Sequence, residues 1–216
     1  MNIGILGSGM VGTTLGTRLV RLGHAVMIGS RSPDNAKAAA WARSNGESAS
    51  HSTFADAAAF GEMILLCTKG DVTLDILHAT NPAHFARKVV IDVTNPLDFS
   101  KGVPPSLFVC NTDSLGEQVQ CTLPEAYVVK SLNIVNCEVM VNPAKYAPGA
   151  TMFVCGNDAT AKTRVEALLR QFGWEDILDL GDITGARGME MMLPLWLRAW
   201  MVTKDVHVAF KMVRHT

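Results

Sequence analysis

Short apolar runs alternate with amphipathic stretches along this chain, the rhythm of strands followed by helices. Residues 3–6 form the first run, which breaks at once into Gly7-Ser8-Gly9-Met10-Val11-Gly12. Val11, Leu15, Leu19 and Leu22 then recur at helical spacing, and Gly23 stands where a C-terminal cap belongs. Residues 24–28 predict a second strand. Ser32, Pro33 and Asp34 supply an N-cap, a first-turn proline and an early acid, which predicts a helix over 33–44, stopped by Asn45-Gly46. A short third strand over 48–50 follows, then a brief helix from Phe54 to Phe60 closed by Gly61. The unbroken apolar run 63–67 fits a parallel strand covered on both faces. A helix carrying Val72, Ile76, Leu77 and Ala79 leads on to strands at 89–93 and 127–132.

This alternation predicts an α/β fold: a doubly wound, parallel Rossmann sheet with right-handed crossovers over residues 1–133. Residues 134–216 keep strands and helices but change rhythm. They predict a strand at 151–155 and a helix opened by Gly156-Asn157-Asp158, with Val165, Leu168, Leu169 and Phe172 inward and Gly173 at its end. A strand at 177–180 comes next, then a last helix capped by Thr184 and running to residue 202, in which Pro194 marks a kink or a fresh start. No polar linker separates the two parts, so the second is expected to be a small C-terminal α/β lobe sharing one core with the first.

The glycine turn adds chemistry to the fold. Gly7 suits the tight turn, Gly9 lets backbone approach a pyrophosphate, and Gly12 lets the helix pack close to its strand. Ser8, Met10 and Val11 complete a helix start whose free N–H groups and positive dipole end favour an anion. An NAD site places Asp or Glu at the end of the second strand, roughly 20 residues beyond the glycines. This chain has Gly29-Ser30-Arg31 there. A carboxylate would repel a 2′-phosphate, whereas Arg31 can pair with it through two N–H groups, Ser30 can donate a hydroxyl bond, and Lys37 lies within reach. The expected cofactor is NADP(H).

Composition narrows the remaining classes. The chain of 216 residues is 48% hydrophobic and 18% charged with net charge −1, a globular protein with a sizeable core and no electrostatic case for nucleic acid. Five cysteines lack metal-finger spacing and most sit in apolar runs, as reduced thiols do, which suggests the cytoplasm, and no metal site is expected. The apolar stretch 189–203 is interrupted by Glu190, Pro194 and Arg198, so no membrane span is expected. The six histidines (His24, His51, His78, His84, His207 and His215) are scattered, and no nucleophile–base pair or carboxylate pair stands out as catalytic.

Ligands of an open parallel sheet bind beyond the carboxyl ends of its strands. Besides the glycine turn and Ser30-Arg31, those ends carry Thr68-Lys69-Gly70, Thr94-Asn95-Pro96-Leu97 and Asn133. Thr68, Lys69, Asn95, Pro96 and Asn133 therefore join the candidate cofactor-binding set, with hydroxyl and amide groups suited to ribose and carboxamide.

The GSGMVG turn, Gly29-Ser30-Arg31, Thr94-Asn95-Pro96-Leu97, Lys130-Ser131-Leu132-Asn133 and the stretch 181–187 together resemble NADPH:coenzyme F420 oxidoreductases. The likeness extends to their bacterial homologues and to the cytosolic reductase domain of metalloreductases. It covers essentially the whole chain. The resemblance implies an NADPH-binding Rossmann domain with a small C-terminal lobe, a homodimer, and direct hydride transfer between nicotinamide and a flavin or the deazaflavin F420. Archaeal members tend to carry a proline–tryptophan or similar pair at Thr68-Lys69, and a histidine-containing segment at Ser131-Leu132-Asn133.

Hydride transfer between stacked rings needs positioning and exclusion of water more than acid–base groups, in keeping with this residue inventory. Met189, Met191, Met192, Leu193 and Trp196 read first as core or a dimer contact and second as an apolar platform under a flat ring, and Arg187 could meet an anionic group. Two other functions remain open: an NADPH-dependent reductase of a small imine or keto acid, and a non-catalytic NADP(H) sensor.

Overall fold

The computed structural model describes residues 1–214; of the residues discussed above, only His215 lies outside. Strand β1 (Asn2–Leu6) leads through the glycine turn into helix α1 (Met10–Arg21). Next come β2 (Ala25–Ser30), α2 (Ala36–Asn45), β3 (Ala49–Thr53) and α3 (Phe54–Phe60). The chain then crosses to the other side of β1 with β4 (Met63–Leu66), α4 (Gly70–Ala79) and β5 (Val89–Asp92). A two-stranded hairpin, β6 (Leu97–Asp98) and β7 (Ser106–Leu107), precedes α5 (Leu115–Thr122) and β8 (Tyr127–Ser131). The remainder comprises α6 (Cys137–Val141), α7 (Pro143–Tyr146), β9 (Thr151–Gly156), α8 (Ala159–Phe172), β10 (Asp176–Asp179), α9 (Ala186–Met191) and α10 (Leu193–Thr203).

Eight strands form one sheet in the order β10-β9-β8-β5-β4-β1-β2-β3. The six from β3 to β8 are parallel, the Rossmann order, and strand order reverses between β1 and β4. Only β9 runs against its neighbour β8, and β10 follows it in parallel. The second part of the chain thus extends the same sheet with one reversal of direction. Parallel strands buried on both faces explain the all-apolar β4, every residue of which is buried.

Helix α1 packs on the sheet through Gly12, Leu15, Gly16 and Leu19. Trp41 of α2 closes over Gly16, where an added β-carbon would come 2.7 Å from the indole. Its Nε1 donates to the Thr13 carbonyl at 3.1 Å and to Thr17 Oγ1 at 3.0 Å.

Two helix starts differ from expectation. Helix α2 begins at Ala36, because Asn35 accepts the Ala38 N–H at 3.0 Å and acts as the cap. Ser32 instead accepts the Asp34 N–H at 3.3 Å, so Ser32-Pro33-Asp34 form a turn. Near the C-terminus, Asp182 rather than Thr184 caps the helical stretch, accepting the Thr184 N–H at 3.0 Å. Pro194 sits in the first turn of a fresh helix, α10.

Candidate active site

The carboxyl ends of β1, β2 and β4 border a groove of about 820 Å³ at the point where strand order reverses. Its walls include Gly7, Ser8, Gly9, Ser30, Arg31, Thr68 and Lys69. Gly7 adopts φ +129°, and a β-carbon there would strike the Cys67 carbonyl at 2.5 Å. A β-carbon on Gly9 would meet nothing within 4 Å. Gly9 is also the N-cap of α1, no side chain caps that end, and no acid occupies the first turn. These features fit a dinucleotide: open space, free N–H groups and no competing carboxylate at a helix start.

The loop after β2 is shaped from within. Ser30 is 3% exposed, and its hydroxyl donates to the Ser32 carbonyl at 2.6 Å. That bond turns the chain so that the exposed Arg31 lines the groove. Lys37 is exposed at the second position of α2 and lies outside the residues lining the groove. The opposite wall was not legible beforehand: Val72, Asp75, Ile76 and Ala79 of α4 all face the groove. Three of these are the apolar residues that marked the helix, yet Val72 and Ala79 are exposed, and the buried positions are Gly70, Thr73 and Leu77. The signal was a second apolar stripe on a helix already supplied with one.

Thr68, Lys69 and Asp71 also line an adjoining cleft of about 740 Å³ beyond β5. Val11, Thr94 and Asn95 border it, as do Phe99 and Phe108 from the β6–β7 hairpin. Phe99 is 58% exposed and Phe108 44%. Met10 is exposed, and Pro96 is buried behind the cleft wall. Thr68 Oγ1 lies 2.8 Å from Thr73 Oγ1, which donates to the Lys69 carbonyl at 2.8 Å and sets this turn.

Asn95 and Asn133 lock together. Asn95 donates its amide to the Asn133 carbonyl at 2.8 Å, leaving Asn95 Oδ1 to accept from Asn133 Nδ2 at 3.0 Å. Asn133 Nδ2 also donates to the Met189 carbonyl at 3.2 Å. Both amide orientations are thus dictated by backbone carbonyls. Asn133 Oδ1 is left buried and without a hydrogen-bond partner among the described residues.

Below the cleft lies a buried ionic cluster. Lys130, fully buried, approaches Asp92 Oδ2 at 2.9 Å and Glu190 Oε1 at 2.8 Å, and donates to the Thr94 carbonyl at 2.6 Å. Asp92 and Lys130 are register partners on β5 and β8. Asp92 Oδ1 accepts from the Thr94 N–H at 2.9 Å and hydroxyl at 2.6 Å. Glu190 accepts the N–H groups of Leu115 and Gly116 at 2.8 and 2.9 Å, at the start of α5. Burial works to lower the Lys130 ammonium, but the Asp92 and Glu190 carboxylates outweigh it and hold the group above its ordinary value.

Other candidates have structural employment. Arg187 is bound to Glu117 through Nε at 2.8 Å and Nη2 at 2.5 Å. Met189 is 1% exposed and packs with Ile134, Phe153, Cys155 and Ala186. Burial pushes the Cys155 thiol up to about 12, so it stays protonated.

Comparison with known proteins identifies the family. The family model described as NADP oxidoreductase, coenzyme F420-dependent, matches residues 2–96. A protein of Arthrobacter sp. FB24, described as a proposed F420-dependent NADP-reductase, superposes with TM-score 0.95 at 44% identity, over 99% of this chain and 100% of that one. The F420-dependent NADP reductase of Methanocaldococcus jannaschii is 29% identical over 204 residues, 90% of each protein. The metalloreductase STEAP3 of Rattus norvegicus is 26% identical over 96% of this chain, which spans 40% of that protein. The chain belongs to the coenzyme F420-dependent family of NADP oxidoreductases.

Proposed function

We propose that this protein transfers hydride between NADP(H) and a flavin-like or deazaflavin ring, coenzyme F420 being the first candidate. The observation that carries the reading is the junction of groove and cleft at Thr68, Lys69 and Asp71. The groove offers a helix start for the pyrophosphate and Arg31 for the 2′-phosphate. The cleft offers Phe99 and Phe108, two exposed aromatic faces on which a flat ring can stack.

Bound NADPH would supply the hydride, and the accompanying proton would come from solvent. Residues of this chain bind, orient and exclude water. Ser8, Met10, Val11 and Gly12 complete the phosphate turn, Lys37 can swing to the 2′-phosphate from the start of α2, and Pro96 fixes the Asn95 loop. Asn133 Oδ1, without a hydrogen-bond partner among the described residues, is suited to accept from a carboxamide. The protein is further proposed to work in the cytoplasm; no described helix is long and apolar enough to cross a membrane. A homodimer is proposed through α10, on which Leu195, Trp200 and Val202 are 59%, 38% and 74% exposed.

Following NADPH absorbance at 340 nm with F420, FMN, a ferric chelate and keto acids tests this. Rapid oxidation by the rings supports it. Oxidation by keto acids or imines alone favours a small-substrate reductase, and tight NADPH binding with no oxidation favours a sensor.

A further inference from the structure

Asp92, Lys130 and Glu190 are at most 1% exposed, and burying three charges is costly. Well-packed apolar side chains often stabilise a core as well as a buried ion group does, so the value of this cluster lies in the positions it fixes. Its bonds converge on Thr94, whose N–H, hydroxyl and carbonyl oxygen are all gripped by Asp92 or Lys130. One residue before Glu190, the Met189 carbonyl holds Asn133, which holds Asn95. Two consecutive residues of α9 therefore anchor two consecutive residues of the cleft wall. Glu190 also pins the start of α5 through Leu115 and Gly116.

We infer that Lys130 and Glu190 are positioning residues for hydride transfer: acting through Thr94, they hold one wall of the cleft at the separation two stacked rings need. The inference rests on the proposed use of that cleft as the hydride site. Donor and acceptor carbons must approach within about 3–3.5 Å, and a 1 Å misplacement can cost on the order of 100-fold in rate. Neither residue lines the groove or the cleft.

The test uses the full chain. Glu190→Asp keeps the charge but withdraws the carboxylate from Lys130 and α5, while Lys130→Met with Glu190→Gln removes both charges. The expected result is a kcat with F420 or FMN lowered about tenfold in the first and about 100-fold in the second, with KM for NADPH within about threefold of the parent. The primary isotope effect from 4-deuterated NADPH should become more temperature-dependent, which a merely structural role would not cause. Unchanged kcat and isotope effect in a folded Glu190→Asp protein overturn the inference, so a double variant that fails to fold does not shelter it.

A second measurement needs no acceptor. The affinity advantage of NADPH over 2′,5′-ADP, which lacks the nicotinamide end, should fall about two- to threefold in Glu190→Asp while 2′,5′-ADP affinity holds. An unchanged advantage counts against the positioning role. If wild-type protein reduces no ring while Glu190→Asp still shows this fall, the hydride reading is refuted and the positioning of the nicotinamide pocket stands.

Discussion

A β-carbon on Gly12 would stand 2.0 Å from the carbonyl oxygen of Gly7, so α1 rests directly on the turn that ends β1. The clash is with backbone and cannot be relieved by a rotamer. Gly12→Ala must push α1 off the sheet, at a cost of about 3 kcal/mol, and displace the N–H groups offered to the pyrophosphate. A thermal melt should show the lost stability, and an NADPH titration should show binding lost with it.

Arg31 is exposed, lines the groove and has no acidic partner among the described residues. Arg31→Ala should weaken NADPH binding roughly 10- to 100-fold, the worth of a charge-assisted bond, and leave NADH nearly untouched. Parallel fluorescence titrations with both nucleotides check this. An equal loss for NADH would place the arginine elsewhere than on the 2′-phosphate.

His24 is 8% exposed, and neither ring nitrogen has a hydrogen-bond partner among the described residues. Burial, then the nearby N-terminal charge, lowers its pKa below the ordinary value. The unfolded chain therefore takes up this proton at higher pH than the folded one does. Its contribution to stability is complete above about pH 6.5 and is lost as pH falls through the folded value. The melting temperature should drop between pH 7 and pH 5, and His24→Leu should flatten that drop.

Phe99 and Phe108 should matter to the acceptor and not to NADPH. Replacing both with Ala should raise KM for F420 or FMN about tenfold, at roughly 0.7 kcal/mol of stacking for each ring, with the Kd for NADPH unchanged.

The first half of the Rossmann motif was legible because local signals agreed there. The run into Gly7, the spacing of Leu15 and Leu19, and the apolar β4 each demand one element. Helix α5 went unrecognised although Ser114 and Glu117 form the capping pattern: Ser114 Oγ accepts the Glu117 N–H at 3.1 Å. The β6–β7 hairpin has strands of two residues, too short for any periodicity. The reversal between β8 and β9 depends on long-range pairing, which apolar runs do not specify. The ionic cluster was hidden for a similar reason. Lys130 and Glu190 are 60 positions apart, and only the fold brings α9 under the ends of β5 and β8.

A ternary crystal structure with NADP⁺ and F420 tests the central claim most directly. The account predicts pyrophosphate on the Gly7–Gly12 turn, Arg31 on the 2′-phosphate, and nicotinamide C4 facing the second ring between Asn95 and the Phe99–Phe108 pair. A nucleotide bound away from that turn, or a ring seated outside this cleft, would contradict it.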